Sequence, residues 1–189
     1  MKKSLLDYTL KFRIPVLIFV MLLTAVATYF ISRPERDGVG YAPVQPIPFS
    51  HKLHAGQMGI DCKYCHTGVD QSRFANIPSV STCMNCHSVA KKSSPEIVKL
   101  TEYHEKNEAL PWKAVHKVPE YAYFSHVAHV SKGIECASCH GDVQNMEVVK
   151  QVNAFTMSNC LNCHRNAPSI LTYVKDIQKG PDNCNTCHR

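Results

Sequence analysis

At 189 residues the chain has room for one ordinary domain, or one domain with an anchor, yet it carries ten cysteines. That excess excludes an unremarkable globular composition and calls for a disulfide framework, a metal site or a covalent cofactor. The formal charge of +6 comes without any nucleic-acid-binding motif, so nucleic acid is not a partner class here.

The N-terminus opens with Lys2, Lys3, Lys11 and Arg13, followed by the uncharged run Ile14 to Ile31. A run of that length is just enough to cross a bilayer core. Ala25-Val26-Ala27 resembles a small-residue cleavage site, but a retained signal anchor is the expectation. The positive charges before the span, against the near-cancelling Arg33, Glu35, Arg36 and Asp37 after it, place residues 1–31 as a cytoplasmic start plus transmembrane helix. Residues 32–189 then form a domain on the periplasmic side of a bacterial inner membrane, in contact with lipid only through the anchor. A proline-rich stretch (Pro34, Pro43, Pro46, Pro48) reads as a stiff lead-out rather than part of a core.

Past the linker, every cysteine falls into a Cys-x-x-Cys pair followed at once by histidine: Cys62/Cys65/His66, Cys83/Cys86/His87, Cys136/Cys139/His140, Cys160/Cys163/His164 and Cys184/Cys187/His188. Two thiols at this spacing add to the two vinyl groups of one porphyrin, and the adjoining imidazole reaches the iron. Five motifs therefore imply five covalently bound haems c. Structural zinc does not require histidine directly after each pair, and a dithiol redox motif normally occurs once. Five haems add roughly ten propionate charges, which overturns the basic reading of the apoprotein.

An internal repeat organises these motifs. Phe49-Ser50-His51-Lys52-Leu53-His54 recurs as Phe124-Ser125-His126-Val127-Ala128-His129, and Gly59-Ile60-Asp61-Cys62 recurs as Gly133-Ile134-Glu135-Cys136. Each copy, about 32–118 and 119–189, carries two motifs, with the one at Cys184 appended. Porphyrins replacing side chains as core leave short helices, long loops and few strands. One helix is legible between the copies, with Ser94 as N-cap, Pro95 at N1 and Glu96 in the first turn, running towards Lys106.

Beyond the five proximal histidines stand His51, His54, His104, His116, His126 and His129. Two strong axial ligands close an iron to substrate, so this supply argues for electron transfer rather than catalysis. His104, alone on a helix, reads as a surface residue. His116 and Met157 are both candidates for the centre at Cys184.

The paired-histidine repeat resembles the small c7/c3-type cytochromes. That resemblance implies that His51 serves the Cys62 haem and His54 the Cys83 haem, while His126 and His129 serve the Cys136 and Cys160 haems. The single span, the five motifs and the stretch Trp112-x-x-Val115-His116-x-x-Pro119 leading into Tyr123-Phe124-Ser125-His126 further resemble the pentahaem cytochrome c subunit of bacterial alternative complex III. This second resemblance implies an electron-transfer subunit, not itself an enzyme, of a quinol-oxidising complex. Its neighbours would be iron–sulfur and polytopic membrane subunits, and its acceptor a monohaem cytochrome c or another periplasmic carrier. A free-standing quinol dehydrogenase of the NapC/NrfH type is the alternative.

Overall fold

The computed structural model describes residues 5–31 and 38–188. Lys2, Lys3, Arg33, Pro34, Glu35, Arg36 and Asp37 of the charge and linker pattern lie outside the described residues. The chain divides into two units, residues 1–37 and 38–189.

The first unit is helical: α1 (Leu5–Tyr8), a π-helical turn (Thr9–Arg13) and α2 (Ile14–Ile31). Lys11 pairs with Asp7 one turn earlier, at 2.9 Å. From Thr9 to Ile31 the helix is long and apolar enough to cross a membrane, and none of that stretch is buried against protein. Large side chains such as Leu17, Phe19, Met21 and Phe30 stand exposed all round it. A helix that is apolar on every face finds a favourable environment in lipid rather than in water.

The second unit has no strand among its described residues. Its helices are α3 (Cys62–Cys65), α4 (Val80–His87), α5 (Pro95–Glu105), α6 (His126–Val130), α7 (Ala137–His140), α8 (Met157–Ile170) and α9 (Cys184–Cys187), with a π turn at Lys52–Gln57. The α5 helix runs over the expected residues, with Pro95 in its first turn and Lys106 closing it. Ser94 occupies the N-cap in extended conformation but makes no side-chain cap bond; its carbonyl instead accepts from Ile97 and Val98. At 14 residues α8 is longer than the short helices expected, and it bends at Asn166, ahead of Pro168, which cannot supply its helical N–H.

Side chains provide only a thin core. The buried apolar residues are Ile47, Val69, Val80, Leu100, Leu110, Ala167 and Leu171, and no large side chain is wholly enclosed. So small a set does not offset the conformational entropy of a domain this size. Ile47, Val80, Leu100 and Leu110 cluster beneath Cys83, Met84, Ile97, Tyr103 and Trp112, which ties α4 to α5. Leu100, only 4% exposed, is the most enclosed member of this cluster. Leu100→Ala is expected to cost about 2–4 kcal/mol, seen as a lower thermal midpoint with cofactor content unchanged.

The proline-rich stretch is not a free lead-out. Ile47 enters the core cluster, Lys99 donates to the Pro46 carbonyl at 2.6 Å, and Gln45 exchanges two hydrogen bonds with the backbone of Lys113. Further upstream, Gly40 and Tyr41 pair with the backbone of Gln151. Proline fixes an extended path, and the residues between the prolines dock it on the domain.

Candidate haem-binding site

Each Cys-x-x-Cys pair sits on a helical turn, which places both thiols on one face. Three of the motifs are single turns closed by the same bond: the backbone N–H of His66, His140 and His188 donates to the carbonyl of Cys62, Cys136 and Cys184, each at 2.9 Å. The other two lie inside longer helices, Cys83 and Cys86 on α4 and Cys160 and Cys163 on α8. The spacing treats the two thiols of a pair alike, but the structure does not. Cys83 packs against the core cluster, whereas Cys86, three residues on, stands exposed. The carbonyl of Cys86 ends α4 by accepting from the N–H groups of Val89 at 3.1 Å and Ala90 at 2.8 Å. Cys86 is thus held by its backbone, with its sulfur on the open side of the turn.

Small polar caps start several of these turns. Asp61 accepts from the Lys63 N–H, Asn183 from the Thr186 N–H, and Thr156 from the Asn159 N–H. None of the ten cysteines forms a disulfide, and among the described residues no three His, Cys, Asp or Glu side chains converge as a zinc site would require.

The repeated glycines explain themselves in the backbone. Gly59 and Gly133, at the head of the Gly-Ile-Asp/Glu-Cys segments, have φ of +67° and +78°, a region that side-chain-bearing residues avoid.

The Phe-Ser-His-x-x-His units are near copies in three dimensions as well as in sequence. Phe49 meets His51 edge-on at 4.9 Å and stacks on His54 at 4.4 Å; Phe124 does the same to His126 at 4.9 Å and His129 at 4.6 Å. The Ser50 carbonyl accepts from His54 Nδ1 and the Ser125 carbonyl from His129 Nδ1. The phenylalanine and serine were legible as repeats, but their work, holding two imidazoles at fixed angles, emerges only from the structure.

Imidazole pairing follows. The ring centroids of His54 and His87 lie 6.2 Å apart, those of His126 and His140 6.3 Å, and those of His129 and His164 6.0 Å. Two imidazoles on opposite sides of one metal, each bonded at roughly 2 Å, place their centroids about 6 Å apart. Nδ1 of most of these rings is already engaged with a backbone carbonyl: His66 with Asn76, His87 with Ala90, His126 with Arg73, His164 with Pro181 and His188 with Tyr121. Such a bond fixes the tautomer and turns Nε2 towards a metal. Gly180 makes the bond to Pro181 possible, because a Cβ there would lie 2.6 Å from the His164 ring. His51 faces His66, His54 and His116 closely enough to feel their charges. Burial first, then those neighbours, hold His51 down to about 4. His140 is likewise held to about 4 by burial and then by His116, His126 and His66. Imidazoles kept neutral in this way retain the lone pair that a metal needs.

The remaining candidates are placed differently. His116 lies 4.4 Å from His140, edge to face, and 5.9 Å from Phe155, with its Nε2 enclosed and lacking a hydrogen-bond partner. Met157 is 65% exposed on the first turn of α8, three residues before Cys160 and so on the same face. His104 lies on α5 and lines, with Tyr103 and Trp112, an open groove of about 560 Å³ away from the paired imidazoles.

The thiols also order the motifs in space. Burial, and after it Cys65, raises the pKa of Cys83. Burial and then Cys62, which hydrogen-bonds to it, raise Cys136. Burial followed by Cys163 and Cys160 raises Cys139, and burial followed by Cys187 raises Cys160. Sulfurs of different motifs thus neighbour one another in pairs: Cys83 with Cys65, Cys136 with Cys62, Cys139 with Cys160 and Cys163, and Cys160 with Cys187.

Helical turns presenting paired thiols, with imidazoles paired at about 6 Å between ring centroids, define a multihaem c-type cytochrome with covalently bound haem c. Residues 28–119 match the Class III cytochrome C family and residues 122–189 match the family described as cytochrome c7 and related cytochrome c. The fold is accordingly helical, of c7/c3 type, with one N-terminal apolar helix able to span a membrane. Among curated proteins the chain is similar to the multiheme cytochrome c subunit of menaquinone reductase from Nitratidesulfovibrio vulgaris, strain Hildenborough. The two are 29% identical over 166 residues, and the match covers 77% of each. A role in electron transport, as a subunit rather than as a catalyst, agrees with that likeness.

Proposed function

We propose that this chain is a membrane-anchored five-haem electron relay in a quinone-linked oxidoreductase, with its haem domain on the periplasmic side. The observation that carries this reading is the set of imidazole pairs with ring centroids 6.0–6.3 Å apart, His54/His87, His126/His140 and His129/His164. Haem c, when bound, supplies reversible one-electron chemistry at its iron. The cysteine pairs would hold it covalently, and the paired imidazoles would ligate its iron, leaving no position there for a small substrate. His51 joins His66 as the fourth pair. We read the pairs of neighbouring sulfurs as one line, which gives the proposed order of one-electron transfer Cys83, Cys62, Cys136, Cys160, Cys184, with partners docking at the two ends.

For the motif at Cys184 the distal ligand is Met157. It shares a helix face with Cys160, whose thiol neighbours Cys187; His116, whose enclosed Nε2 has no hydrogen-bond partner, is the other candidate. A thioether raises a haem potential relative to a second imidazole. Met157→His is therefore expected to lower the midpoint of one centre and to abolish the far-red band that sulfur-to-iron coordination gives the oxidised protein. A spectrum and titration indistinguishable from the native protein would discard Met157.

The role matches that of the pentahaem subunit of alternative complex III: iron–sulfur and polytopic membrane subunits on one side, and a monohaem cytochrome c or similar carrier on the other. The relative's name favours a second direction of flow, in which the same relay delivers electrons towards menaquinone. Purification from membranes in mild detergent, with pyridine haemochrome quantitation and identification of co-purifying subunits, tests the assembly. Five haems arriving with an iron–sulfur protein and polytopic subunits support it, and reduced quinol or reduced carrier offered to that preparation reveals the direction. A five-haem chain that runs alone and oxidises quinol points instead to a free-standing NapC/NrfH-type dehydrogenase.

A further inference from the structure

The two Phe-Ser-His-x-x-His units differ at one point that their sequences do not announce. His126 is held from outside its own repeat: its Nδ1 and its backbone N–H both meet the Arg73 carbonyl, at 2.9 and 3.2 Å, and the Val127 N–H donates to the Ser72 carbonyl at 3.1 Å. The Arg73 guanidinium lies 3.8 Å over the Tyr123 ring and 4.8 Å from that of Phe74. Among the described residues Arg73 forms no salt bridge, and its Nε is enclosed without a hydrogen-bond partner. Stacking is thus what the side chain does, and the stack ties the 72–73 loop to the segment that leads into His126. The resulting His126 ring is nearly parallel to that of His140, at 4°, whereas His54 and His87 are inclined at 59° and His129 and His164 at 34°. His51, the counterpart of His126 in the first unit, has a buried Nδ1 with no acceptor.

We propose that Arg73 is a positioning residue that gives His126 the carbonyl acceptor His51 lacks, and thereby sets the haem at Cys136 to a lower potential than the haem at Cys62. An imidazole that donates its Nδ1 proton to a carbonyl is a stronger base at Nε2. A more basic axial ligand stabilises ferric iron and lowers the potential. Two centres built from the same six-residue unit are in this way separated in energy by a contact made across the repeat. The inference rests on the reading of His51 and His126 as distal ligands.

The test is a potentiometric titration of the detergent-solubilised full chain, with individual haems followed by their resolved methyl resonances in proton NMR. In the native protein the Cys136 centre is expected to oxidise first of the two. Arg73→Ala is expected to raise the midpoint of that centre alone and to alter its low-spin EPR signal, because the imidazole plane is no longer held. The sign is diagnostic: loss of a nearby positive charge by itself would move the midpoint down. Tyr123→Leu, which removes the stack without changing charge, is expected to give the same upward shift, and Arg73→Lys a smaller one. A native order with Cys136 at or above Cys62 overturns the proposal. So does a downward or absent response to both Arg73→Ala and Tyr123→Leu. His126→Met separates the two levels of argument: if no centre responds even to that change, the ligand assignment fails rather than the role of Arg73.

Discussion

Replacing Cys136 and Cys139 together with alanine is expected to remove one haem and to stop electron flow between the ends of the chain. Their motif stands third in the line of neighbouring sulfurs, between Cys62 on one side and Cys160 and Cys163 on the other. No second route bypasses it in that line. Pyridine haemochrome should fall from five haems per chain to four, and the intact mass should fall by one haem after allowance for the two substitutions. Stopped-flow reduction from the two ends should then separate the remaining centres into two pools, those at Cys83 and Cys62 and those at Cys160 and Cys184. The same double change at Cys184 and Cys187 removes a haem as well, but should leave the other four exchanging as one pool. Equal loss of exchange in both variants would show that the order read from the sulfurs is wrong.

The second large effect concerns the anchor. Replacing residues 1–31 with a cleavable export signal is expected to release the haem domain into the aqueous fraction with its haem content intact. None of the helix from Thr9 to Ile31 is buried, and the haem domain is a compact unit by itself from Gly38 onward. Transferring its exposed leucine, isoleucine, valine and phenylalanine side chains from water to lipid contributes on the order of 1.5–3 kcal/mol each. Retention therefore depends on this one element unless partner subunits hold the domain. Carbonate washing of membranes distinguishes the two cases. A truncated chain that still sediments with membranes from the native strain, and is released from membranes lacking the proposed partners, would assign retention to docking.

Much of the cofactor chemistry was readable from spacing alone, because covalent haem attachment needs a fixed arrangement of thiols and imidazole along the chain. Spacing did not reveal how differently the thiols of one pair are set, as with part-buried Cys83 and exposed Cys86, since burial depends on what packs over the turn. The α2 helix was equally legible, since a lipid-facing segment is defined by its own composition, and so was α5, whose Ser-Pro-Glu start marks its first turn. Other features depend on partners distant in sequence. The acceptors for His126, His164 and His188 are the carbonyls of Arg73, Pro181 and Tyr121, and any residue can offer a carbonyl. The docking of the proline-rich stretch through Ile47 and Lys99 was hidden for a similar reason: local stiffness was visible in its prolines, but its tertiary contacts were not. His116, one of the two candidates for the fifth centre, lies against His140 with its Nε2 enclosed and without a hydrogen-bond partner, a setting its sequence neighbours do not announce.

The placing of the Ser50 and Ser125 carbonyls has a consequence for biogenesis. Each proposed distal ligand precedes the motif it serves: His51 before Cys62, His54 before Cys83, His126 before Cys136, His129 before Cys160 and Met157 before Cys184. The Nδ1 atoms of His54 and His129 are moreover bonded to the carbonyls of serines only four residues upstream. In a chain translocated from its membrane segment outward, each proposed distal ligand therefore emerges before the thiols of the motif it would serve.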